Sequence, residues 1–182
     1  MSDVLEYFYD FTCPYAYVAS ARVEGAARDL GVTLRPRPIL LGGILRAKGL
    51  PPAPAQGMNA SKVRHSGRDV SRLAALAGLE LRYPAGHPFR TVDALRAMLV
   101  LEEDAVDTMG AIHALYQAYW TRGADLGDPE VLSALLDDLD HDGGAILARA
   151  ATGDFRQRLR RETDEAMADG IFGGPTFRLG SR

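Results

Sequence analysis

Residues 5–17 read Leu-Glu-Tyr-Phe-Tyr-Asp-Phe-Thr-Cys-Pro-Tyr-Ala-Tyr, a strand that runs straight into a helix. Leu5, Tyr7 and Tyr9 alternate with Glu6, Phe8 and Asp10, and aromatic residues fall in both sets. That pattern predicts a strand with packed neighbours on both faces. Asp10-Phe11-Thr12 ends it. Pro14 suits the first turn of a helix, where its missing N–H costs nothing. Val18, Ala19, Val23, Ala26, Ala27 and Leu30 continue the apolar face, and Gly31 closes the helix. Cys13 therefore sits at a helix start. Unpaired backbone N–H groups there favour an anion such as a thiolate, so the expectation is a partly accessible thiol with a lowered pKa. The alternative is a small buried apolar residue.

The 182-residue chain suits one domain with a real core, or a small domain carrying an insertion. A net charge of −3 argues against a nucleic-acid partner. The single cysteine excludes an internal disulfide and fits a reducing compartment. Neither a secretory pattern at the N-terminus nor an apolar window of membrane-spanning length is expected, so the cytoplasm is the expected location. No metal-ligand pattern stands out. Asp140–Gly144 (DHDGG) lacks the spacing and closing glutamate of a calcium loop and reads as a turn.

Outward from the first helix, residues 33–38 form a second strand whose Pro36 and Pro38 assign it to an edge. Strand, helix and strand in this order make a right-handed unit with parallel strands. A short helical piece covers 44–48, and residues 49–57 (GLPPAPAQG) form a proline-rich loop. Asn59 or Ser61 caps a helix over about 62–77, with Val63, Val70, Leu73, Ala74 and Ala77 as its stripe. Its other side carries Lys62, Arg64, His65, Arg68, Asp69 and Arg72, a local basic cluster. This is either a solvated face or a surface that recognises a small carboxylate-bearing ligand. Residues 78–90 are a loop. Helices over 91–107, with Thr91 as cap, over 109–121, and from Pro129 onward follow it. Tyr116, Tyr119 and Trp120 read as core. Of the histidines, only His65 is placed near chemistry. His87, His113 and His141 are expected on surfaces or loops.

A last helix over 154–168 leads to Ile171-Phe-Gly-Gly-Pro-Thr-Phe177. Two glycines before a proline, then a β-forming pair, describe a tight entry into a strand over 176–179, with a cis bond expected before Pro175. The Gly174 backbone is then free to meet a bound chain.

The strand, DFTCPYAY, helix, strand, helical insertion and GIFGGPTF together resemble the DsbA-like branch of the thioredoxin superfamily. Within it they are most similar to 2-hydroxychromene-2-carboxylate isomerase, with kappa-class glutathione transferase as its sister. The resemblance implies a thioredoxin-like α/β fold of DsbA/kappa type with a long all-helical insertion. Residues 1–42 and 151–182 would form the thioredoxin-like domain and 43–150 the inserted domain. It places Cys13 where the family has a serine that meets the glutathione sulfur. Glutathione is then the cofactor, with Asn59, Lys62, Gly174 and Pro175 in its contact positions. Pro14, Tyr15, Arg64 and His65 face an aromatic carboxylate substrate. In residues 84–96, Thr91, Ala94 and Arg96 match a family segment in which Arg90 replaces an asparagine. Ala16 stands where a CxxC enzyme has its second thiol. The family continues into an edge strand and a final helix, with a Gly-x-Asp segment that binds the γ-glutamyl end of glutathione. This sequence ends before them, at Arg182.

The resemblance implies a glutathione-dependent cis–trans isomerase that works by reversible thiolate addition. The alternatives are a kappa-type transferase or peroxidase, a thiol oxidoreductase using Cys13, and a noncatalytic domain completed by a partner. A homodimer is compatible with each.

Overall fold

The computed structural model describes residues 3–51 and 54–180. β1 (Val4–Tyr9) leads through α1 (Pro14–Leu30) to β2 (Thr33–Pro38). β3 (Thr176–Leu179) returns from the far end of the chain. All three strands occupy the expected ranges. The sheet has the order β2-β1-β3, with β1 parallel to β2 and antiparallel to β3. Tyr7 lies opposite Pro36 on one side and Phe177 on the other. Both prolines of β2 are tolerated because this strand borders β1 alone.

Between β2 and β3 come α2 (Leu41–Ala47), a 3-10 turn (Pro54–Gly57), α3 (Ala60–Leu76) and α4 (Val92–Glu103). They are followed by α5 (Thr108–Arg122), α6 (Pro129–Asp137), α7 (Gly143–Ala150) and α8 (Gly153–Ala168). The result is a mostly helical, thioredoxin-like fold around an open sheet. Asn59, Asp107, Asp128 and Asp142 each accept a backbone N–H at a helix start, and Gly31 and Gly123 end helices in the left-handed conformation. Residues 52 and 53 of the expected proline-rich loop lie outside the described residues.

One helix departs from the expectation. The turn over 138–141 is present, but Gly143-Gly144 opens α7 instead of continuing the loop. Asp142 caps it by accepting from the Ala145 N–H at 2.9 Å. Gly143 lies so close to α6 that a Cβ there would stand 2.3 Å from the Ser133 carbonyl oxygen. A residue that looks like a helix breaker is there because two helices touch.

β1 is packed on both faces. Tyr7 and Tyr9 stack at 5.4 Å between centroids, and Tyr7 stacks on Phe177 at the same distance. Their face joins a buried cluster that includes Tyr17, Leu95, Tyr116, Trp120 and Leu159. The α5 aromatics are core, as expected. The opposite face carries Glu6, Phe8 and Asp10. Glu6 accepts from Arg37 and from Arg178, each at 2.5 Å. The Phe8 ring lies between the same two guanidinium groups, at 5.6 and 5.4 Å. Buried Arg37 also meets Glu162 of α8 at 3.4 Å, and Arg158 links Glu162 to Glu102 of α4.

Candidate active site

Asp10 ends β1 and shapes the turn into α1. Its Oδ1 accepts from the Thr12 N–H, the Thr12 hydroxyl and the Thr91 hydroxyl, at 3.0, 3.1 and 2.9 Å. Its Oδ2 accepts from the Leu41 N–H at 3.0 Å. One buried carboxylate thus joins the starts of α1, α2 and α4. Burial pushes its pKa up, and the hydrogen bonds oppose that rise without cancelling it. Thr91 was expected to cap α4. Its hydroxyl makes no cap bond and is spent on Asp10 instead. The carbonyls of the same turn are held by α5: Tyr116 donates to Asp10 O at 3.1 Å and Trp120 to Phe11 O at 3.0 Å.

Cys13 occupies the N-cap of α1, with Pro14 in the first turn. The Gly174–Pro175 bond is cis, as expected. The Cys13 Sγ–H donates to the Gly174 carbonyl at 3.0 Å, so residues 161 positions apart meet at the sheet end. The expected exposure and lowered pKa are both overturned. Cys13 is only 6% exposed, and burial pushes its thiol pKa up to about 11. The Ala16 and Tyr15 N–H groups favour the thiolate, as a helix start should, while the Asp10 charge opposes it. Desolvation outweighs the helix terminus. At neutral pH, Cys13 is a neutral hydrogen-bond donor.

Tyr15 extends from this junction to α3, donating to Asp69 Oδ2 at 3.0 Å, with the Ser66 carbonyl at 3.4 Å. Val70 and Ala74 pack against Val18, whereas Val63 and Leu73 of the expected apolar stripe are substantially exposed. Among the sequence candidates, Cys13, Pro14, Tyr15, Gly174 and Pro175 lie at the junction. Asn59, Lys62, Arg64 and His65 lie on the exposed first turns of α3. Asn59 is committed to its own helix, accepting from the Lys62 N–H at 2.9 Å, and Arg64 donates to Ser61.

Two residues near the junction escaped the sequence reading. Half-exposed Tyr83 packs edge-on against Trp120 and His87. His87 sits in the loop over 78–90, one of the two settings expected of it, where it packs on Trp120, and its Nδ1 lies 2.9 Å from the Tyr119 hydroxyl. Burial lowers its pKa. The bond from His87 to Pro88 is also cis. The two prolines of this loop were visible in sequence, but the packing of Tyr83 and His87 on Trp120 of α5 was not. Among the described residues, no group of His, Cys, Asp and Glu is arranged to hold a metal, and no helix is long and apolar enough to cross a membrane.

A cysteine at a helix start, directly after the central strand and facing a cis-proline turn, marks a thioredoxin-like domain. The model of the DSBA-like thioredoxin domain matches residues 4–182, and the chain belongs to that family. It is 27% identical to 2-hydroxychromene-2-carboxylate isomerase of Pseudomonas putida, over 97% of this chain and 85% of the relative. A solved 2-hydroxychromene-2-carboxylate isomerase superposes with a TM-score of 0.84 at 23% identity, covering 98% of this chain and 86% of that one. The cytosolic disulfide reductase DsbM of Pseudomonas aeruginosa, solved with GSH, superposes with a TM-score of 0.67 at 22% identity. That match covers 98% of this chain and 87% of the other. The chain is thus a distant relative of the isomerases within an enzyme-bearing family.

Proposed function

We propose that this protein is a glutathione-dependent isomerase of 2-hydroxychromene-2-carboxylate or a similar unsaturated aromatic keto acid. The observation that carries the reading is the Cys13 thiol, buried and donating to Gly174 O at 3.0 Å. A thiol with its pKa near 11 is a poor nucleophile at neutral pH. It can do what a serine hydroxyl does, which is to donate a hydrogen bond to an incoming sulfur anion. The relatedness to isomerases and the GSH in the DsbM structure support the same reading.

The residues present fit a thiol peptide at its sulfur end. The Gly174 carbonyl is held by a weak S–H donor, which a peptide N–H would displace. Gly174 also has no side chain to stand in the way. The freed Cys13 S–H then turns toward the peptide sulfur, with the Tyr15 and Ala16 N–H groups behind it. Pro175 holds the turn. Exposed Lys62 on α3, with Asn59 beside it, takes a cofactor carboxylate, while Arg64 and His65 face the substrate's acid group. Pro14 and Tyr15 form the edge nearest the aromatic body. Bound glutathione supplies a thiolate that adds reversibly to a conjugated carbon, so that a double bond becomes single and can rotate. The protein's part is to keep that sulfur anionic and to orient the substrate.

Calorimetric titration with reduced glutathione, followed by NMR of 2-hydroxychromene-2-carboxylate, tests the reading. Cys13→Ser should keep the isomerisation, and Cys13→Ala should slow it by about ten- to a hundredfold through loss of one hydrogen bond to a charged group. Alkylation of Cys13 against pH should show its midpoint near 11. A midpoint at or below the free-cysteine value of about 8.5, with Cys13→Ser inactive, overturns the isomerase in favour of a thiol oxidoreductase.

A further inference from the structure

A concavity of about 650 Å³ lies among α4, α6, α7 and α8, lined in part by Arg90, Arg96, Arg156 and Arg160. Asp93 is the single carboxylate in its lining. It is already shared, accepting from Arg90 at 2.5 Å and from Arg96 at 2.9 Å. At the neighbouring α6 start, Asp125 accepts from the Gly127 N–H and Asp128 from the Glu130 N–H.

The arginines of α8 divide by direction. Arg158 is paired with Glu162 and Glu102, and Arg161 lies 3.9 Å from Glu165. Arg156 and Arg160, four residues apart on the cavity side, form no ion pair among the described residues. Like charges at that spacing repel along a helix. Across the cavity, Arg96 is only 14% exposed, and its buried Nε–H has no hydrogen-bond partner among the described residues. Burial pulls its pKa down, Asp93 opposes that, and the charges of Arg156 and Arg90 add to the lowering. A guanidinium does not escape such a setting by losing its proton. A cleft lined by one sign of charge concentrates ions of the other sign, and planar guanidinium groups match phosphate and carboxylate oxygens.

We infer that this four-arginine cavity, separate from the Cys13 junction, is a binding site for a small organic polyanion carrying phosphate or carboxylate groups. Asp93 holds Arg90 and Arg96 in place, and the ligand supplies the negative countercharge that Arg156 and Arg160 lack among the described residues. Leu132 and Leu147 line the same space and favour a ligand with some apolar body.

Calorimetry on the whole chain at about 0.15 M salt, where long-range attraction is screened, tests the inference with pyrophosphate and citrate as probes. One-to-one binding of either supports it, and the better probe identifies the acid group. The double variant Arg156→Gln with Arg160→Gln changes two exposed side chains, and it should weaken binding by about tenfold or more. Arg161→Gln should leave it unchanged. In the wild-type protein, the methyl resonances of Leu132 and Leu147 should shift as the probe is added. The inference is overturned if neither probe binds, if the double variant binds like the wild type, or if Arg161→Gln weakens binding equally.

Discussion

The two faces of β1 solve the problem of burial in opposite ways. On one, Tyr7, Tyr9 and Phe177 stack, and stability comes from apolar area with few directional demands. On the other, Glu6 and Asp10 are held by named donors, and each charge or lone pair depends on a partner from another element. Neighbouring residues of a single strand therefore differ in how they tolerate change. On the aromatic face, Tyr9 can lose its hydroxyl cheaply, because that hydroxyl has no partner among the described residues. The charged face cannot lose one partner without stranding the other.

Glu6→Gln tests this most severely. It removes the charge shared by Arg37 and Arg178, leaves one amide oxygen for two guanidinium groups, and leaves Arg37, 10% exposed, with its 3.4 Å ion pair to Glu162. A loss of about 3 kcal/mol is expected from urea melts at neutral pH, in the range found when a buried pair loses one member. The same residue has a pH signature. Burial raises the Glu6 pKa, but Arg178 and Arg37 more than offset this and leave it lowered. Its contribution is present above the unfolded carboxylate pKa, near 4.3, and is lost as pH falls through the folded value. The acid-side decline in stability should be shallower in Glu6→Gln than in the wild type.

Asp10→Asn should cost about 1–3 kcal/mol, because an amide cannot accept at both ends and one of the four donors loses its acceptor. Its pH signature has the opposite sign. The Asp10 pKa is raised, so its contribution is complete below the unfolded value near 3.9 and is lost as pH rises through the folded one. Asp10→Asn should therefore steepen the acid decline. Parallel melts of the two variants from neutral to acidic pH would break the comparison if both moved the slope the same way. Tyr9→Phe is the smallest test. The Tyr9 hydroxyl is buried with no partner among the described residues, so its removal should change stability by under about 1 kcal/mol, with a gain expected.

Much of this architecture was legible in the sequence because its signals are local. Alternation marked β1, Pro14 and Gly31 bracketed α1, and Gly173-Gly174-Pro175 announced the turn that faces Cys13. What was not legible depends on distant packing. α7 begins with two glycines, and its reason is a carbonyl of α6. The helix start correctly pointed to N–H groups around Cys13. The burial that reverses their effect comes from the fold, including a turn more than a hundred residues away. Asp10 looked like the end of a strand. Its role as a hub required Leu41 and Thr91 to be brought alongside it.

β3 pairs with β1 across all the intervening helices, and this sets an order of events during synthesis. Domains begin to organise from the N-terminus as they emerge, but a contact between distant residues waits for its second half. β1, α1 and β2 are made early and can associate at once. Phe177 for Tyr7, Arg178 for Glu6 and Gly174 for Cys13 are made at least 161 residues after their partners. The Cys13 thiol therefore waits through the synthesis of α1 to α8 for its hydrogen-bond acceptor, and the candidate active site takes shape only when the cis-proline turn emerges.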